Sequence, residues 1–402
     1  LLTASLLAAG LSMSQSMAGR NQALDTVREA TEPMSAAAHL LSTSLLHADT
    51  IAAGGFVQPG PLSEEDTRAY VAAIDTAVTS ASEIYKGAVE ADSPSSARIE
   101  ALVGDIQRDL PVYAALNERA RVNQRMGNPV GVAYMSEASG IMRSRMLAAA
   151  SEVNALTRAD VAAEMRRLSQ PQWIPLSGLL AALAFLLLAQ WWLWRVFRRR
   201  LNRGFLAATL AVVVSLCWVG VSNYQSWRNG SVGYERAAQP WEELTAARID
   251  ALETRTDETF ALLRRQSVVH SSRAFDGTYT SVNGALSTVE SYGGSQQRID
   301  DARAALNTWA YEHNELVDAL NTGSYDQAAA LLASGGAAGE TASRDLDATL
   351  SELIATSRGS TRAYIDASLD ATRQVSAAVA LLSVLAVMCI WLGIRRRLGE
   401  YL

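Results

Sequence analysis

Lysine is all but missing from this 402-residue chain: Lys86 stands alone, and every other basic residue is arginine. Cysteine is nearly as scarce, with only Cys217 and Cys389. Both fall in strongly apolar stretches, so neither an extracellular disulfide framework nor a thiolate ligand set is expected. The four histidines form no ligand pattern. His39 and His47 lie eight apart beside alanines and leucines, without an HExxH motif, and read as ordinary bundle or surface histidines; His270 and His313 read as structural. No glycine-rich loop leads into Lys-Ser/Thr, so nothing cradles a phosphate; Gly335, Gly336 and Gly339 read as a flexible turn. Strand-type alternation is also missing. Acidic pairs such as Glu64/Glu65 and Glu242/Glu243 stand at helix starts, where they favour the positive end of the helix dipole. The chain is therefore expected to be all-α, to lack enzymatic activity, and to carry no metal or cofactor.

What the chain does have is long apolar runs. Ile174–Trp194, Phe205–Ser222 and Ser376–Ile394 are each about 18–21 residues, enough to cross a hydrocarbon core as helix. The alternative, a buried helix of a soluble core, does not account for the tryptophans at the ends of these runs. Trp173, Trp191, Trp192, Trp194, Trp218, Trp227 and Trp391 make the aromatic belt of a membrane interface. Leu1–Leu11 supplies about half a span and is read as the end of a first transmembrane helix, not as the remnant of a cleaved export signal. No Asp, Glu, Lys, Arg or His sits in the middle of a span, which argues against an ion or proton path. Small residues (Gly178, Ala182, Ala208, Ala211, Ala380, Ser383) allow the four spans to pack as one bundle.

Arginine excess marks the cytoplasmic side. The clusters Arg195, Arg198, Arg199, Arg200, Arg203 and Arg395, Arg396, Arg397 are accordingly placed inside, as orientation signals with contacts to lipid headgroups or a cytoplasmic partner. The expected layout is 1–12, end of transmembrane helix 1; 13–172, extracytoplasmic bundle; 173–194, helix 2; 195–204, cytoplasmic Arg-rich hairpin; 205–222, helix 3; 223–375, second extracytoplasmic bundle; 376–394, helix 4; and 395–402, cytoplasmic tail. Residues 13–172 carry 14 basic and 19 acidic side chains, and 223–375 carry 13 and 21. Both outer modules are thus acidic, which argues against a nucleic-acid role.

Each outer module reads as four helices, and antiparallel helices with short turns are the simplest way to cover four apolar stripes. In the first, a helix with a kink at Pro33 runs over Ser12–Ala53, followed by the break Gly54–Pro61. A helix then opens at Ser63 with an N-cap and an acidic first turn. Ser96–Met126, the break Gly127–Gly131 and Val132–Ser169 complete the set. The second module reads as Pro240–His270, a break at Ser271–Gly277, Thr278–Ser291, Ser295–Leu320, and a return ending in Thr341–Val375.

Geometry puts the first–second and third–fourth connections at the membrane-distal end. Phe56, Val57, Gln58 and Pro59, with Asn128, Pro129 and Val130, and Phe275 in the second module, are the candidate docking residues, Phe56 and Val57 being expected to stand exposed. The segment 110–142, rich in Tyr, Asn and Arg around a Gly-Pro-Gly turn, reads first as a tight helical hairpin and second as a ligand pocket.

A span, a four-helix bundle and a span resemble the sensor half of chemoreceptors and many histidine kinases, here doubled and without an output domain. More closely, the paired modules, the Arg195–Arg203 hairpin, the 110–142 hairpin and the short Arg395–Leu402 tail resemble the GlnX family of four-span actinobacterial membrane proteins. That resemblance implies a transducer linking an extracytoplasmic solute-binding lipoprotein, GlnH, which detects amino acids such as aspartate and glutamate, to the cytoplasmic Ser/Thr protein kinase G. It implies no catalytic residues. The competing readings are a receptor that binds a small ligand directly and a transporter or scaffold subunit.

Overall fold

The computed structural model describes residues 2–57, 62–170, 172–197, 203–228, 234–264, 269–333 and 339–398, and among them it is helical with no strand. In chain order the helices are α1 (Leu2–Thr26), α2 (Glu32–Gly54), α3 (Glu64–Ala91), α4 (Ser96–Arg125), α5 (Val130–Ile141), α6 (Leu147–Ser169), α7 (Trp173–Phe197) and α8 (Arg203–Trp227). They continue as α9 (Tyr234–Arg264), α10 (Val269–Ser291), α11 (Gln296–Asn321), α12 (Tyr325–Ala333), α13 (Gly339–Arg373) and α14 (Val375–Leu398). Wide π-helical turns, Val27–Thr31 and Met142–Met146, join α1 to α2 and α5 to α6.

The local chemistry explains most of the boundaries. Pro33 sits in the first turn of α2, where its missing N–H costs nothing, so the π turn takes the place of a simple proline kink. The Ser63 hydroxyl accepts the Asp66 N–H at 2.9 Å and caps α3, whose first turn holds Glu64, Glu65 and Asp66. Gly293 and Gly323 adopt positive φ (81° and 71°) after α10 and α11, as helix-ending glycines do. Two expectations are corrected. The break placed at Ser271–Gly277 is helical: α10 starts at Val269, because Phe275 and Thr278 extend the buried stripe that continues through Val282, Leu286 and Val289. The break at Gly127–Gly131 is shorter than expected, since α5 begins at Val130. Gly131 lies inside that helix, where a β-carbon would come within 3.0 Å of the Ala120 carbonyl, so the close approach of α4 and α5 needs glycine there.

The chain falls into two compact units. One gathers Leu1–Arg28, Ala163–Glu235 and Arg362–Leu402, and the other Glu29–Ala162 and Arg236–Thr361.

In the first, apolar unit, α1, α7, α8 and α14 share one core: Leu6, Met13 and Met17; Leu179 and Leu186; Phe205, Ala208, Val212 and Val219; Val379, Ala386 and Ile390. Close approach depends on small residues, since a β-carbon on Gly10 would collide with Ser383, and one on Gly204 with the backbone of Cys389 and Gly393. The outward faces are apolar too: Phe185, Leu187, Leu188, Trp191, Leu206, Leu210, Leu385 and Trp391 are all exposed. A water-soluble bundle would put polar residues there. Windows long and apolar enough to cross a membrane lie within Val130–Arg195, Arg203–Trp227 and Ala342–Arg395. A membrane protein is the consistent reading.

The second, polar unit brings together the helices of two sequence segments, Glu29–Ala162 and Arg236–Thr361. One core uses α2, α3, α4 and α6, with Leu41, Leu45, Ile84, Ile99, Val103, Ile106, Tyr113 and Val153; the other uses α9, α10, α11 and α13, with Leu244, Leu286, Leu306, Trp309, Leu346 and Leu350. Helix α9 belongs to both, because Leu252 and Ile249 pack into the first core while Leu244, Ala247 and Ala251 pack into the second. The two segments therefore form a single body.

Candidate functional site

Polar contacts within the polar unit run from one sequence segment to the other. Arg358 Nε meets Glu32 Oε1 at 2.8 Å, Arg158 meets Glu242 at 3.3 Å, Arg344 meets Asp66 at 3.3 Å, and Arg143 pairs with Asp257. Thr50 and Thr256 share a hydroxyl–hydroxyl bond of 2.7 Å. Glu32 is almost wholly buried, so its pair with Arg358 cannot be broken cheaply: an orphaned buried charge costs about 3–5 kcal/mol.

Beneath these contacts lie buried polar groups on the core helices. Asp49, fully buried on α2, accepts from Ser139 Oγ at 2.8 Å and from the Tyr113 hydroxyl at 3.2 Å. Burial pushes its carboxyl up from the usual value, against the opposing pull of the Ser139 bond, the Arg143 charge and the Tyr113 bond. Glu258 on α9 is likewise buried, with His313 Nδ1 at 2.7 Å, Arg255 Nη1 at 3.2 Å and Trp309 Nε1 at 3.4 Å. His39 has no hydrogen-bond partner for either ring nitrogen and meets the Trp241 ring edge-on at 5.0 Å; burial depresses its pKa to about 3, so it is neutral. Among the described residues no group of three or more His, Cys, Asp or Glu side chains is placed to hold a metal ion.

Two cavities meet at the end of α2, and both are lined by Gly55 and Leu62. The larger, about 360 Å³, lies between the two sequence segments, with Asp66, Arg255, Trp309, Arg344 and Asp347 among its walls. Most of its charges are paired: Arg248 grips Asp347 through two bonds of 2.6 and 2.9 Å, Arg344 meets Asp66, and Arg255 reaches Glu258 and the Leu332 carbonyl. The smaller, about 170 Å³, is walled by Ala52, Gly55, Phe56, Leu62, Thr67, Glu118, Arg121, Gln124 and Arg125. There the charges are not matched. Arg121 touches Glu118 through Nη1 at 3.3 Å and stands 4.8 Å from the Tyr70 ring centre, yet its Nε and Nη2 are buried without a partner. A buried donor left unbonded costs about 1–3 kcal/mol.

The predicted docking residues fare unevenly. Phe56 is not exposed: it packs with Ala52, Ala53, Ala120, Met135 and Phe260, because the turn after Gly54 folds the chain back onto the bundle. Val57 is half-buried against Leu262 and Leu316, and Gln58 and Pro59 lie outside the described residues. Phe275 is also buried, stacked on His313 at 4.0 Å and edge-on to Trp309 at 5.0 Å, so its side chain offers no surface to a partner. Asn128, Pro129 and Val130 are exposed, with Asn128 bonded to Asn123 at 2.9 Å and to the Val130 N–H at 3.2 Å. Of the arginine clusters, Arg195, Arg203 and Arg395 are exposed; Arg198, Arg199 and Arg200 and the side chains of Arg396 and Arg397 lie outside the described residues. Sequence reasoning missed Asp49, Arg121 and Glu258. Of these, Arg121 alone carried a signal, as part of the Tyr/Asn/Arg-rich stretch 110–142.

Residues 23–166, just over a third of the chain, match the family model of the actinobacterial sensor domain. The match runs from the end of α1 into α6 and takes in every residue of the smaller cavity. No curated protein and no solved structure matches the chain. The match supports a sensing role.

Proposed function

We propose that this protein is a transmembrane signal transducer with four membrane-spanning helices. In this reading α1, α7, α8 and α14 cross the bilayer, the polar unit stands outside the cytoplasm, and both chain ends and the Arg195–Arg203 hairpin face inward. The sensor-domain match at residues 23–166 carries the reading. A second feature supports it: the chain passes between its two units four times, and each passage lies inside a helical segment rather than a loop. A helix resists bending and stretching, so a small displacement at one end is felt at the other. It conveys information only if the outer ligand or partner binds two states with different affinity.

Following the resemblance to GlnX-like proteins, the outer partner is an amino-acid-binding lipoprotein of the GlnH type, and the inner one a Ser/Thr kinase of the protein kinase G type. The docking face then uses the exposed Asn128–Val130 tip. The full-length chain in lipid nanodiscs should capture the binding protein from the outer face, more tightly in one ligand state than the other. Pro129→Glu together with Val130→Glu, both at exposed positions, should abolish capture; equal capture by this variant refutes docking at this tip.

A further inference from the structure

The unmatched Arg121 points to a ligand. Its two partnerless nitrogens, Nε and Nη2, form one side of the guanidinium plane. Elsewhere in this chain the same side grips carboxylates two-pronged: Arg98 holds Glu152 through Nε and Nη2 at 2.7 and 2.8 Å, and Arg248 holds Asp347 in the same manner. Arg121 therefore keeps free the edge that matches a planar, two-oxygen anion. The Tyr70 ring at 4.8 Å braces the guanidinium. Arg125 adds a second positive charge to the cavity wall, against the single carboxylate of Glu118.

We propose that the 170 Å³ cavity is a binding site for a small carboxylate, held by Nε and Nη2 of Arg121. The cavity of about 170 Å³ takes the body of a small ligand, while its carboxylate displaces the side chains that cover the two nitrogens. Both nitrogens are closed to solvent, so a carboxylate reaches them only when neighbouring side chains give way. Binding thus selects a conformation distinct from the unbound one, as sensing requires. The site lies wholly within the matched sensor region. It is independent of partner docking, and either reading can fail without the other.

The test is calorimetric titration of the full-length chain in lipid nanodiscs with acetate, glycine and succinate, using acetamide, methylamine and inorganic phosphate as controls. At least one carboxylate should saturate the protein while the controls do not. Arg121→Gln should weaken that binding by about tenfold or more, and Arg121→Lys should not restore it, because a lysine cannot make the two-pronged contact. Glu118→Gln should tighten binding about threefold or more, since it removes the competing carboxylate. No saturation by any of the three carboxylates up to about 50 mM, a range that takes in even weak millimolar sites, would overturn the proposal. So would equal binding of acetamide or phosphate, or an unchanged or weaker affinity in Glu118→Gln. Where Arg121→Gln does not fold, the Glu118→Gln titration decides alone.

Discussion

Replacing Asp49 by asparagine should change how the protein's stability depends on pH, and the structure fixes the sign. An aspartate in the unfolded chain titrates near 3.9. In the folded protein burial raises Asp49 above that value, outweighing the Ser139 and Tyr113 hydrogen bonds and the Arg143 charge. The native state therefore holds the proton more tightly than the unfolded state. Its contribution is fully present below about pH 4 and is lost as pH rises through the raised native value. The loss is about 1.4 kcal/mol for each pH unit between the two pKa values. For a unit of this size that corresponds to about 3–6 °C of Tm per pH unit. Asparagine cannot titrate, so it adds only a constant cost of about 1–3 kcal/mol for a hydroxyl donor left without its oxygen. Thermal unfolding of the full chain and of Asp49→Asn in nanodiscs, at pH values from 4 to 8, gives the difference directly. Other carboxylates cancel in it, including the ion-paired Glu152 and Glu290, whose pKa values are lowered. The wild-type advantage should shrink as pH climbs. A flat difference would mean that the Arg143 charge and the hydrogen bonds balance burial, and an advantage that grows with pH that they outweigh it; either would refute the reasoning.

Three further substitutions probe the packing. His39→Leu removes two buried nitrogens that bond to nothing and should leave Tm unchanged or raise it by a few degrees; a fall of more than about 4 °C would show that the ring is held by a partner. Glu258→Ala strands His313 and Trp309 and leaves Arg255 only the Leu332 carbonyl; it should cost about 3–5 kcal/mol in thermal unfolding, whereas a loss below about 1 kcal/mol would mean that they find new partners. Gly204→Ala forces α8 away from the backbone of α14 and should lower Tm by an amount equivalent to about 1–3 kcal/mol; an unchanged Tm would contradict the close approach at Gly393.

Much of the fold was legible because it follows from local rules. The Ser63 cap and its acidic first turn open a helix in the sequence and in the structure alike, and the helices expected to start at Ser96 and Ser295 begin within a residue of those positions. Where the reading failed, tertiary packing had overridden local composition. Ser271–Gly277 looks like a loop by composition, yet Phe275 needs a core, and helix is the conformation that delivers it beside Trp309 and His313. Phe56, in a stretch of glycine and proline, looks exposed until α4 and α5 are seen to leave a socket containing Ala120 and Met135. The pairing of Glu32 with Arg358 spans 326 positions and has no local trace at all. The same holds for the vacant edge of Arg121: the sequence shows an arginine among polar residues, and only the contacts show which of its nitrogens are occupied.

Two of the four passages between the units, at residues 28–29 and 361–362, are tied to each other on either side. Within the apolar unit Arg28 Nε bonds Asp366 Oδ1 at 2.9 Å, and within the polar unit Arg358 Nε bonds Glu32 Oε1 at 2.8 Å. The first pair is half-exposed and contributes little on its own. The second holds a buried carboxylate and is expensive to part. Between Arg28 and Glu32 the chain makes its π turn, a wide turn in which the regular helical bonding pattern is interrupted. A shift of α13 relative to α2 would therefore meet a strong tie at Glu32 and a weak one at Arg28, with the irregular turn in between. Parting α2 from α13 is thus costly at Glu32 and cheap at the Arg28–Asp366 pair.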